Sequence, residues 1–203
     1  MFRRNRGFTL IELLIVVAII AILAMIAVPN FLEAQTRAKV SRVKNDLRTL
    51  AVAIEVYLVD NNNTILGSND WASKLGLPGD VARLYAHAKL TTPIAYLSSL
   101  LVDPFYVESS QGTREGRVYE FRSHNEFSAT AYARCRLRGY LWGVNSIGPV
   151  SVRRPTDNDP SMQDVLRGIA PGFVYDPTNG TVSKGFIIRT NKGEYTFDNS
   201  PPV

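Results

Sequence analysis

The stretch "FTLIELLIVVAIIAILAMIAV", residues 8–28, decides the fold because it is apolar apart from Thr9 and Glu12. A run of this length matches the ~20 residues that an α-helix needs to cross the hydrocarbon core of a bilayer. A secretory signal would have a shorter apolar core followed by a small-residue cleavage site, whereas Pro29 and Asn30 follow here. We therefore expect a segment that spans or is stored in a membrane, with any cleavage before the apolar run.

The residues ahead of this run are basic. Arg3, Arg4 and Arg6 precede Gly7, which by the positive-inside rule predicts a cytoplasmic amino terminus and an extracytoplasmic remainder. The formal net charge is +5, but it falls to +2 if these three arginines are removed. The basic composition is therefore no argument for nucleic-acid binding, and we expect no nucleic-acid partner.

Glu12 is the unusual residue of the apolar run. A carboxylate inside a bilayer costs a few kcal/mol, roughly, unless it is paired or lies near the interface. Proteolysis between Gly7 and Phe8 would create an α-amino group one helical turn from Glu12, so two identical chains could pair amine to carboxylate within lipid. The alternative is a carboxylate that reaches the interface of a simple anchor.

Beyond Pro29 the apolar residues are confined to one side of the predicted helix. Apolar residues recur at helical spacing while basic and acidic residues fall between them, which predicts an amphipathic helix. The predicted buried stripe consists of Val40, Val43, Leu47, Leu50, Ile54 and Tyr57. We expect one helix from Phe8 to about Val59, bent at Pro29 and ended by "DNNNT", although Pro29 could instead separate two helices.

These residues carry a family resemblance. The stretch "RGFTLIELLIVVAIIAILAMIAVPNFLEAQTRAKVSRVKNDLRTLAVAIEVY" resembles the amino terminus of type IV pilins and of type II secretion pseudopilins. The resemblance implies a prepilin peptidase that cuts after Gly7 and methylates the Phe8 amine. It also implies a homo-oligomeric filament in which Glu12 faces the amino terminus of a neighbour and Pro29 lies within the assembling helix.

The implied fold is α+β, a long amino-terminal helix packed on a small antiparallel sheet. The expected segments are a leader (1–7), a membrane or filament-core helix (8–29), its amphipathic continuation (30–60) and a head (61–203). Within the head we expect a helical connector (61–104) followed by sheet and loops (105–203). The connector is expected to be helical in "DVARLYAHAKL" (80–90) and "IAYLSSLLVD" (94–103), with Thr91 or Thr92 capping the second piece.

Three stretches in the second half predict strands. They are "RVYEFRS" (117–123), "GYLWGVNS" (139–146) and "KGFIIRTNKGEYTFD" (184–198), the last a hairpin turning at "TNKG". The sheet would place one face on the apolar stripe of the helix. Gly180 in "YDPTNGT" is expected to supply a positive φ in a turn.

The sequence predicts no catalytic site, and we expect a protein that is not an enzyme. Cys135 is expected to be a small residue inside a strand, and neither His87 nor His124 has an assigned role. Along that strand Arg134, Arg136 and Arg138 would form a solvated basic face or an intersubunit salt-bridge row.

No cofactor is required by these patterns, but calcium is an option. The candidate ligands are Asp157, Asn158 and Asp159, with Asp164 as a further oxygen donor, because the family often holds calcium in this loop. Arg153 and Arg154 lie beside them and no EF-hand spacing is present. A solvated polar loop is the competing interpretation.

The favoured function is a structural subunit of a type II secretion pseudopilus in the bacterial inner membrane. Its expected partners are further copies of the chain, prepilin peptidase, the assembly platform, minor pseudopilins and, before assembly, membrane lipid. The lack of a cysteine pair argues against a classical pilus. The alternatives are a type IV pilin for adhesion, motility or DNA uptake, and a membrane-tethered binding module.

Overall fold

The computed structural model describes residues 8–63, 65–106, 117–123, 135, 137–150, 165–166, 173–183 and 185–196. Helix α1 spans Leu10–Asn61, α2 spans Ser68–Leu75 and α3 spans Gly79–Ala88. Strands β1 (Glu120–Ser123), β2 (Trp142–Ser146), β3 (Ile187–Thr190) and β4 (Gly193–Tyr195) form the sheet, and a 3-10 helix spans Pro177–Val182. The predicted α+β architecture, with a long helix and a small antiparallel sheet, is confirmed.

Helix α1 is one continuous element of 52 residues with Pro29 inside it. At 1.5 Å per residue it is about 78 Å long. The helix ends where the asparagine-rich stretch begins, with Asn62 as C-cap in the left-handed region at φ 49°. Asparagine tolerates this conformation better than most residues. The predicted single helix and its stop signal are therefore confirmed, although the helix begins at Leu10 and not at Phe8.

The four strands lie in chain order and every neighbouring pair is antiparallel. The last two form the predicted hairpin, in which Thr190 pairs with Gly193 across the turn. Gly193 has φ 111°, which a side chain would disfavour.

One face of the sheet packs on the carboxyl-terminal half of α1. The helix contributes the predicted stripe, and the sheet contributes Phe121, Trp142, Val144 and Ile187 to the same buried cluster, here called the helix-side core. Polar contacts cross the same interface. The Tyr119 hydroxyl donates to Asp46 at 2.8 Å, the Trp142 indole donates to Glu55 at 2.8 Å, and Lys44 pairs with Glu194 at 2.6 Å.

The opposite face of the sheet has a core of its own. Because side chains alternate along a strand, Ile187 faces α1 whereas Ile188 faces away. Ile188 joins a second buried cluster, here called the outer core, which contains Cys135, Tyr140, Val165, Leu166, Val174, Phe186, Ile188 and Tyr195. The sequence analysis did not predict this second layer.

The predicted strand through Cys135 is wrong. Cys135 and Leu137 are helical, and the Tyr140 N–H donates back to the Cys135 carbonyl at 3.1 Å. Gly139, at φ 74°, ends this turn. The Arg138 guanidinium donates to the Leu166 carbonyl at 3.0 Å, so it does not continue a basic strand face. Arg134 and Arg136 lie outside the described residues.

The connector differs from its prediction in two places. α3 matches the first predicted helix, but residues 94–103 are not helical, and α2 was not predicted. The Thr91 and Thr92 hydroxyls both donate back to the Ala88 carbonyl at 3.0 Å, and therefore they do not cap a following helix. The N–H groups of Tyr96 and Leu97 both donate to the Leu90 carbonyl at 2.9 Å, which folds the chain back on α3.

Candidate functional site

The candidate site is the stretch of residues 8–32 at the amino-terminal end of α1, which no other element of the described chain buries. Every residue from 8 to 32 is exposed, and the large apolar side chains among them expose between 46% and 81% of their surface. Of the helices in the described residues, α1 is long and apolar enough to cross a membrane. Residues 10–32 alone cover about 35 Å, more than the ~30 Å of hydrocarbon in a bilayer.

Glu12 is held by Thr9 at the start of this helix. The Thr9 backbone N–H donates to Glu12 Oε2 at 2.9 Å, and the Thr9 hydroxyl donates to the same oxygen at 2.7 Å. In return the Glu12 backbone N–H donates to Thr9 Oγ1 at 3.3 Å. This is a capping box, which satisfies donors that the first turn of a helix otherwise leaves free.

The capping box changes the expected geometry around Phe8. The predicted geometry had the Phe8 amine one helical turn from Glu12, but Thr9 is the N-cap with an extended backbone, at φ −82° and ψ 151°. Phe8 therefore precedes the helix. The prediction that one helical turn separates Phe8 from Glu12 is wrong for the single chain. The internal partner of Glu12 is Thr9.

Pro29 lies inside α1, at the end of the apolar segment. Proline has no N–H, so the Met25 carbonyl lacks its usual donor four residues later. The helix nevertheless continues through this position, as predicted. Whether Pro29 acts in assembly stays a prediction.

The head meets α1 directly after the apolar segment. Glu33 and Arg37 form an ion pair at 2.6 Å, and Gly180 of the 3-10 helix lies against Glu33. Gly180 has φ 52°, the positive value predicted for it. From Val40 onward one side of the helix is covered by the head, so a single helix passes from full exposure to burial.

Several predicted site residues lie outside the described residues. Gly7 is one of them, so the bond between Gly7 and Phe8 is not described. The calcium candidates Asp157, Asn158, Asp159 and Asp164 are also outside, and calcium binding there stays a prediction. Within the described ranges, no group of three or more His, Cys, Asp or Glu side chains could hold a metal ion.

Comparison with known proteins identifies the amino-terminal segment. Residues 2–28 match the family described as the prokaryotic N-terminal methylation motif. The chain is 43% identical over 84 residues to the type IV major pilin protein PilA of Myxococcus xanthus, which covers 41% of this chain and 36% of that protein. The amino-terminal segment is therefore similar to that of type IV pilins and pseudopilins.

Other relatives in this family come from two kinds of system. The chain is 42% identical over 59 residues to the type II secretion system core protein G of Pseudomonas aeruginosa, covering 29% of this chain and 42% of that protein. It is 51% identical over 61 residues to the type IV wide pilus major component PilA4 of Thermus thermophilus, which covers 30% of this chain and 47% of that protein. These names agree with the expectation that the chain is not an enzyme.

The likeness covers only part of each relative. The chain spans less than half the length of the three relatives described above. No solved structure matches the chain.

Proposed function

We propose that this protein is a filament subunit that is stored in the inner membrane and polymerises through the exposed half of α1. The observation that carries the proposal is the division of one continuous helix into two environments. Residues 8–32 are exposed and are apolar apart from Thr9, Glu12 and Asn30, whereas the stripe that begins at Val40 is buried against the sheet. A helix surface of this kind needs lipid or another protein to cover it.

Lipid would cover this helix surface while the subunit is stored in the membrane, and neighbouring subunits would cover it in the filament. In a membrane the apolar side chains face lipid tails, and association between helices rests on van der Waals packing and polar contacts. Once a subunit leaves the bilayer, burial of each large apolar side chain contributes about 1.5–3 kcal/mol. The same residues would therefore hold the subunit in the membrane and later stabilise the filament.

Processing by a prepilin peptidase is part of the proposal. Cleavage between Gly7 and Phe8 would place a charged, methylated amine next to the capping box formed by Thr9 and Glu12. The Thr9 contacts engage one oxygen of Glu12, Oε2. We infer that Glu12 can then accept from the amine of a neighbouring subunit, because a carboxylate has four lone-pair positions. The head would lie outside the cytoplasm.

The preferred system is a type II secretion pseudopilus, in which the assembly platform and minor pseudopilins are the expected partners. The match to a secretion system core protein G supports this assignment. The second candidate is a type IV pilus, supported by the matches to two pilus components. Deletion of the gene distinguishes them: loss of specific proteins from the culture supernatant supports the first, whereas loss of surface pili with unchanged secretion supports the second.

The role of Glu12 is tested by Glu12→Ala. We expect normal membrane insertion, because the apolar run is unchanged, and a drop of about tenfold in the sheared filament fraction. A hydrogen bond to a charged group contributes about 1.5–3 kcal/mol, and 1.4 kcal/mol is tenfold. The matched control is Glu33→Ala, which removes an exposed carboxylate of the same helix beyond the apolar segment. Normal filament yield from Glu12→Ala would contradict the assembly role.

A further inference from the structure

Strand β1 is the first strand of the sheet, and β2 pairs with only one of its edges. Three alternate backbone carbonyls on the other side, that of Phe121 in β1 and those of Tyr119 and Arg117 just before it, each accept a hydrogen bond from the connector. The Asp103 N–H donates to the Arg117 carbonyl at 2.9 Å, His87 Nε2 lies 2.7 Å from the Tyr119 carbonyl, and the Ser68 hydroxyl donates to the Phe121 carbonyl at 3.0 Å. Carbonyls two residues apart point the same way along extended backbone, so the partners of Tyr119 and Phe121 cover the start of the free edge of β1, and the bond to Arg117 continues this cover along the segment before β1.

Covering an edge has a physical purpose. Unpaired N–H and C=O groups at the end of a sheet are a template for pairing with another chain, and folded proteins commonly block them. Here the edge is covered by residues 67–88, which contain α2 and α3, and by Asp103 in the later part of the connector. The Gly67 N–H and the Ser123 hydroxyl add a fourth contact at 3.1 Å. We call residues 67–88 the edge clip.

His87 is the titratable member of these carbonyl contacts. Because a carbonyl only accepts, Nε2 must carry the proton that it donates to Tyr119. The other ring nitrogen, Nδ1, is buried and has no hydrogen-bond partner. His87 is 2% exposed, so a second proton on Nδ1 would have neither water nor an acceptor.

The surroundings of His87 offer no compensating anion among the described residues. Ile54 of α1, Ile65 before α2 and Phe121 of β1 line the same small space as the ring. The charge that acts on the ring is the Arg83 cation on its own helix. Burial lowers the pKa of His87 to about 4, Arg83 acts in the same direction, and the Tyr119 carbonyl opposes both.

We propose that the edge clip is a pH-sensitive device in which protonation of His87 releases α2 and α3 from the edge of β1. Release exposes the ring to water, where it titrates at its ordinary pKa of about 6.5. The neutral ring favours the closed clip above that value, and this preference is lost progressively as the pH falls towards 4. By linkage the ratio of open to closed clip rises about tenfold per pH unit within this range.

The two tryptophans make this proposal measurable in the intact protein. Trp71 lies on α2 of the edge clip, whereas Trp142 is buried in β2 of the helix-side core. The full-length chain is labelled with 5-fluorotryptophan in detergent micelles, and the two fluorine resonances are assigned with Trp71→Phe. We expect the Trp71 resonance to move or broaden as the pH is lowered to about 4 while the Trp142 resonance stays in place.

The variant His87→Gln retains an N–H donor but cannot titrate, so we expect it to abolish the response of Trp71. His124→Gln, which changes the other histidine of the chain, should keep the response. An unchanged Trp142 resonance at neutral pH shows that the variant is folded. The proposal is overturned if wild-type Trp71 does not respond, if both tryptophans respond together, or if folded His87→Gln responds as wild type does. The last result would assign the response to a group other than His87.

Discussion

At the scale of single residues, Glu12 has a local explanation that does not need a second chain. Thr9 donates two hydrogen bonds to its carboxylate, and both residues lie at the start of an apolar helix. The pattern Thr-x-x-Glu before an apolar run is a capping-box signature. This signal is visible in the sequence alone, but the predicted roles of Glu12 were an ionic partner in a second chain or a carboxylate at the interface of a simple anchor, and the capping box was missed.

The capping box predicts that Thr9 supports assembly by positioning Glu12. Thr9→Ala removes the hydroxyl and should reduce the sheared filament fraction severalfold, because loss of an N-cap side chain costs about 1 kcal/mol. Thr9→Ser keeps the hydroxyl and should restore the yield. Membrane-inserted protein is measured in parallel. Equal filament yields from Thr9→Ala and Thr9→Ser at equal membrane levels would contradict the positioning role.

Asp103 makes a second residue-scale prediction. Its two carboxylate oxygens accept from the Phe105 N–H at 2.9 Å and the Ile147 N–H at 3.2 Å, which joins the connector to the end of β2. Burial raises the pKa of Asp103, opposed by these hydrogen bonds. Asp103→Ala should lower the free energy of unfolding by about 2–4 kcal/mol, since two buried donors lose their acceptor. Asp103→Asn should cost less, because one amide oxygen remains. Denaturant titration of the two variants checks this order, and equal stability to wild type in both would contradict it.

At the scale of elements, the sequence predicted those with a clear period or turn signal. The α1 stripe, β1, β2 and the β3–β4 hairpin each have such a signal, and all are present. The outer core was missed because its members are dispersed over residues 135–195 and share no period. The short helix α2 was missed because "SNDWASKL" is too short to show amphipathic spacing. Residues 94–103 were wrongly assigned as a helix because the Tyr96 and Leu97 N–H groups bond back to the Leu90 carbonyl and not to the carbonyls four residues earlier.

The turn after β2 gives a prediction at this scale. Gly148 has φ 77°, and a Cβ there would lie 2.1 Å from the Gly185 carbonyl oxygen. Gly76 also has a positive φ, 65°, but no atom lies within 4 Å of its added Cβ. Gly76→Ala should therefore cost about 1–2 kcal/mol from backbone strain alone, and Gly148→Ala should cost clearly more because the backbone must also move. Thermal melting of the two variants measures the difference. Equal melting temperatures would show that the contact between a Cβ at position 148 and the Gly185 carbonyl oxygen does not lower stability.

At the scale of the whole molecule, α1 lies in two environments, exposed in its first part and buried on one side in its second. The sequence predicted both halves of the helix, since all-round apolarity and one-sided apolarity are visible as patterns. It could not predict which polar residues of the second half would contact the sheet. Lys44 and Glu55 fall outside the apolar stripe, yet they pair with Glu194 and Trp142 across the interface. These contacts depend on tertiary packing, which no local period encodes.

Processing of the chain is measured by the intact mass and amino-terminal sequence of the protein isolated from its native membrane, with and without prepilin peptidase. We expect a chain that begins at methylated Phe8 when the peptidase is present and retains Gly7 when it is absent. A chain with the same uncleaved amino terminus in both strains would contradict the proposed pathway and would favour a membrane-tethered module over a filament subunit.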